Sequence, residues 1–143
     1  EAIETIAIED IQQFHTFHGV KYKLGEVLQV QMKIPNLSGG KPLDKDIKVY
    51  LDEINEADNN FIIRSIHEVN KEQLTNASFD YITKMAKTMN TELPRREDMK
   101  ELKNETLTAS RIHGTGWVLY SIQTTTITSD DSTLIEERII EIK

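Results

Sequence analysis

From Val20 onward apolar and polar residues alternate. Val20, Tyr22, Leu24, Leu28, Val30, Met32 and Ile34 hold the even positions, with Lys21, Lys23, Gln29, Gln31 and Lys33 between them. A period of two predicts a long antiparallel strand with one wetted face. Gly25-Glu26 is a natural bend in it, and Pro35 ends it. After the turn-rich loop 35–46, Ile47, Val49 and Leu51 start a second strand, and EADNN at 56–60 turns it into FIIRSIHEV at 61–69. That third run is apolar in both phases, as a central strand should be. Three more strand patterns close the chain: TLTASRIH, GWVLYSIQTTTIT and TLIEERIIEIK, the last two separated by SDDS at 129–132.

Two stretches change the period to that of a helix. In residues 1–18, Ile3, Ala7, Ile11, Phe14 and Phe17 form one stripe, acidic residues gather near the start, and Gly19 stands at the stop. In the second, Asn70 is placed to cap and Gln73 follows in capping-box position. Leu74, Ala77, Ser78, Tyr81, Ile82, Met85 and Met89 then form the expected apolar face, which fades near Asn90. Pro94 suits the first turn of a short further helix over REDMKELK. The expected fold is α+β: a curved antiparallel sheet of about six strands packed against an N-terminal and a central helix, as one domain over 1–143. In layout alone it is similar to small secreted or lipid-anchored bacterial domains, and to cystatin-like and nuclear-transport-factor-like cone folds.

Composition narrows the function classes. The net charge of −7 disfavours nucleic acid, since the one dense basic pair, Arg95-Arg96, is followed directly by Glu97 and Asp98. No apolar run is long enough for a transmembrane helix. With no cysteine there is no disulfide, thiolate metal site or cysteine nucleophile. The chain opens on Glu1 rather than methionine, which together with Thr- and Asn-rich strands favours an extracytoplasmic protein, secreted or lipid-anchored upstream; a cytoplasmic protein is the alternative.

Few residues carry candidate chemistry. His15 and His18, three apart on the first helix, have the spacing of half a metal site, although a helix C-terminus accommodates histidines anyway. SGGK at 38–41 lacks phosphate-loop spacing, and Pro42 replaces the hydroxyl residue such a loop needs. No cofactor motif occurs. His67 and His113 are candidate titratable groups, and Trp117 and Tyr120 candidate ligand-binding aromatics. Gly114-Thr115-Gly116 reads as a hairpin turn, with Trp117 beyond it packing on the helix layer. Trp117, Leu119 and Ser121 are expected on one face, and Val118, Tyr120 and Ile122 on the other. The first expectation for function is a non-catalytic domain binding a small apolar ligand or a protein. The alternatives are a small enzyme with a cone-shaped pocket, using His67 or His113 with a carboxylate, and an assembly subunit that pairs through its sheet edges.

Overall fold

In the computed structural model residues 19–141 are described, so the expected N-terminal helix lies outside the described residues. Six strands follow one another in space as they do in sequence. They are β1 (Val27–Ile34), β2 (Leu43–Asn55), β3 (Asn60–Val69), β4 (Lys103–His113), β5 (Val118–Ser129) and β6 (Ser132–Glu141). Every neighbouring pair is antiparallel. Among the described residues one α-helix occurs, α1 (Lys71–Thr88), inserted between β3 and β4. The antiparallel α+β sheet is therefore as the alternation predicts, with β3 paired on both sides.

The two faces of the sheet differ in chemistry. Along β4, Thr106, Thr108, Ser110 and Ile112 point one way, and Glu105, Leu107, Ala109 and Arg111 the other. Registration extends these sets across the sheet: Ser65, Thr108 and Gln123 share a row, as do Ile63, Ser110 and Ser121. This hydroxyl face holds the buried residues: Leu51, Ile63, Ile112 and Val118 cluster at one end, with Tyr22, Val49 and Phe61 packed against them. The opposite, open face carries Ile66, Leu107, Ala109 and Ile122, and Leu107 is 45% exposed.

Two irregularities re-aim side chains. Between β2 and β3 the pairing steps from Leu51–Ile63 to Glu53–Ile62, leaving Asp52 as an extra residue whose carboxylate accepts from Arg64 Nε at 2.6 Å. Between β4 and β5 it steps from Arg111–Tyr120 to Ile112–Val118, skipping Leu119. Simple alternation puts Val118 with Tyr120, but the bulge turns Val118 into the buried cluster beside Ser121 while Tyr120 stays on the open face.

The central helix starts where its sequence says. Asn70 accepts from the Gln73 backbone N–H at 3.0 Å. The Gln73 side chain, however, does not close a capping box. It accepts from Asp44 N–H at 2.6 Å and donates to Asp44 Oδ2 at 2.7 Å, tying the first turn to β2. Of the expected apolar face, Leu74, Ala77 and Ser78 are half-buried but the C-terminal half does not pack. Thr75 and Ala86 are buried, while Tyr81, Ile82, Met85 and Met89 are 41–65% exposed. The reason is the return segment. Leu102 N–H donates to Thr75 Oγ1, Arg96 donates to Asn76 Oδ1 and lies over the Phe79 ring, and Thr91 N–H bonds Ala86 O. That segment holds only a 3₁₀ turn at Arg96–Asp98 before it runs extended into β4, so the short helix expected over REDMKELK is not formed. No helix among the described residues is long and apolar enough to cross a membrane.

Candidate functional site

The named candidates do not converge. His67 lies on the hydroxyl face, in the row Ile47, His67, Thr106, Thr125, Glu136. Burial, and then the positive charge of Lys45, hold its imidazole down at about 4. Glu136 is three strands away in that row, about 14 Å at the usual interstrand spacing. His67 thus has no carboxylate within hydrogen-bonding reach in its own row. His113 sits at the far end of β4, opposite Asn60, about 23 Å along the strand from the Thr106 position that faces His67. Its Nδ1 lies 2.8 Å from Thr115 Oγ1 and accepts from Thr115 N–H at 3.2 Å, so the ring closes its own turn.

Trp117 is 71% exposed, so it does not pack on a helix layer. Its carbonyl accepts from His113 N–H at 2.8 Å, which holds its backbone in the turn and leaves the indole at the tip. Tyr120 stands on the open face, opposite Arg111 and Glu141. His15 and His18 lie outside the described residues. Among the described residues no three of His, Asp and Glu gather as metal donors.

The loop containing SGGK is closed by its own side chain. Asn36 accepts from Ser38 N–H at 3.0 Å and donates to Gly39 O at 2.7 Å, and Gly39 and Gly40 take φ of 87° and 100°. The loop forms one wall of an open groove of about 690 Å³ against α1, with Lys41 on one side and Asp80 on the other. Opposite charges across an open, solvated groove select no one ligand charge.

Two groups of residues that the motif search passes over are better organised. On the hydroxyl face Ser65, Thr108, Ser110 and Ser121 are each no more than 5% exposed. Ser110 Oγ and Ser121 Oγ bond each other at 2.9 Å, and Thr106 and Thr125 pair at 3.0 Å two rows along the same face, beyond Thr108 and Gln123. Thr108 Oγ1 has no hydrogen-bond partner among the described residues. On the open face Tyr50, Arg64, Ile66, Leu107, Ala109 and Ile122 line a shallow groove of about 350 Å³. The apolar band continues outward to Val27 on β1 and to Ile135 and Ile139 on β6, which are 55–63% exposed. The signal for both groups is the alternation inside TLTASRI, where hydroxyl residues occupy one phase and Leu107 and Ala109 the other.

Comparison of the chain with protein-family models, with curated proteins and with solved structures finds no match to any of them.

Proposed function

We propose that this chain is a non-catalytic binding domain acting outside the cytoplasm, with the open face of its sheet as the surface that meets a protein partner. The observation that carries this reading is the band formed by Ile66, Leu107, Ala109 and Ile122, continued by Ile135 and Ile139. Leu107, Ile135 and Ile139 are exposed and Ile66, Ala109 and Ile122 half-buried, and an apolar band of this kind among charged residues is the usual mark of an interaction surface. The separation of His67 from His113, and the closing of His113 onto Thr115 of its own turn, supports binding over catalysis. The extracytoplasmic setting rests on the threonine- and asparagine-rich strands.

Site-specific photo-crosslinking in native cells tests the binding surface. A benzophenone side chain at Lys48 or Thr124, both in the row of Ile66 and Leu107, should give a discrete adduct that Leu107→Asp abolishes. The same group at Asp80 on α1 should give none. Equal adducts from all three positions, or none from Lys48 and Thr124, would overturn the reading. Cell fractionation decides the compartment, a protein confined to the cytoplasm being the contrary result.

A further inference from the structure

We propose that the partner of the open face is a second copy of this chain: two sheets stack open face to open face about a two-fold axis running between Leu107 and Ala109 of β4, pairing Glu105 of each copy with Arg111 of the other. This rests on the reading of the open face as a binding surface and names its occupant. Along β4 the open-face residues are Glu105, Leu107, Ala109 and Arg111. A two-fold lying in the interface and nearly perpendicular to the strands reverses that order. Leu107 then meets Ala109 of the partner subunit, large against small, and Glu105 meets Arg111 of the partner subunit, acid against base. An isologous interface needs this self-complementarity, because residue i contacts j while j contacts i.

The charges support the same axis. Arg111 is exposed and has no ion pair or side-chain hydrogen bond among the described residues, so its guanidinium is available. Glu105 shares its row with Asp46 and Glu68, a line of three carboxylates across β2, β3 and β4, relieved locally by Lys103 at 3.1 Å from Glu105. The two-fold sets that acidic row against the row of Glu53, Ile62, Arg111, Tyr120 and Glu141, so Glu105 meets a guanidinium at the centre while Asp46 approaches Glu53 only at the outer strand. The two central Glu105–Arg111 pairs give the pairing its register.

The area is of the right order. Six strands span about 24 Å, and four side-chain rows along each strand cover about 20 Å. With side-chain relief added, that footprint is of the same order as the ~800 Å² per partner that a stable interface buries. Stacked sheets pack about 10 Å apart with their strands offset by about 30°, a geometry that keeps β3, β4 and β5 of each copy over one another near the axis. Ile66, Leu107, Ala109 and Ile122 form the centre beside Arg64, whose guanidinium is held by Asp52, and Lys48, Glu105 and Arg111 border it. The interface closes on itself, so it yields a dimer and no filament.

Sedimentation equilibrium of the full chain, from micromolar to millimolar, tests the proposal. The wild type should be a dimer. Glu105→Arg and Arg111→Glu should each weaken association about tenfold or more, and the double swap should recover most of that loss. Leu107→Asp should be monomeric with an unchanged far-ultraviolet circular dichroism spectrum, since all three side chains project from the sheet and none is in the buried cluster. A wild type that stays monomeric at millimolar concentration overturns the proposal, as does a dimer indifferent to Leu107→Asp or a double swap no tighter than the single variants. If the wild type is monomeric yet crosslinks from Lys48 to a different protein, the second copy is excluded while the binding face stands.

Discussion

His67 sits beside Ile47 and Thr106 in its row, on a face where several polar side chains are buried outright. Burial disfavours the imidazolium, and Lys45 adds repulsion, so the folded-state pKa is lowered from 6.5 to about 4. Between those values the unfolded chain binds more protons than the folded one, so this histidine makes folding weaker as pH falls from about 6.5 towards 4. It leaves stability untouched above that window. Discounted for the group's partial exposure, the loss is about 1–2 kcal/mol. His67→Gln should remove that part of the acid sensitivity. Urea unfolding of wild type and variant at about pH 7.5 and about pH 4.5 checks this, and equal losses in both proteins would refute the assignment. At this scale the sequence named His67 but not its surroundings. A histidine two residues from Ser65 on one strand reads as a partly buried strand residue rather than half of a catalytic pair, but the groups that bury it do not show. They lie in the rows of neighbouring strands, which no single stretch of sequence contains.

Single elements were legible where one local rule decides them. Asn70 caps α1 because its side-chain Oδ1 accepts from Gln73 N–H, a contact set by a spacing of three. The face on which α1 packs was not legible. Tyr81, Ile82 and Met85 have helical periodicity, but the segment after the helix returns along Thr75, Phe79 and Ala86 and takes up the other side. The bulge at Leu119 was likewise hidden, since one extra residue flips Val118 without leaving a mark on composition. The β4–β5 turn shows what does fix such a place. Gly114 N–H donates to Asn59 O at 2.8 Å, and a Cβ on Gly114 would run into the Asn59 side chain. Asn59 itself takes φ of 49°, a left-handed conformation that glycine adopts without strain. Gly114→Ala should therefore cost about 1–2 kcal/mol. Asn59→Gly should cost little alone and should rescue most of the Gly114→Ala loss. A double-mutant cycle by urea unfolding reads the coupling, and additive effects would show that the two turns do not meet there.

At the scale of the whole molecule, the six strands form a meander in which each pairs with its sequence neighbours, leaving β1 and β6 as open edges and two broad faces to cover. α1 reaches only the end of the sheet marked by Asp44 and the start of β4, through Gln73 and Thr75. On the hydroxyl face, just after residue 18, Tyr22 packs on the Leu51–Ile63 cluster and Leu24 bridges Leu51, so the chain enters the described structure on that face. The buried cluster and the exposed apolar band therefore lie on opposite faces, so Ile63→Ala should lower the urea midpoint by the same amount with Leu107→Asp present or absent. A loss that changes with Leu107→Asp would show that the two faces are coupled.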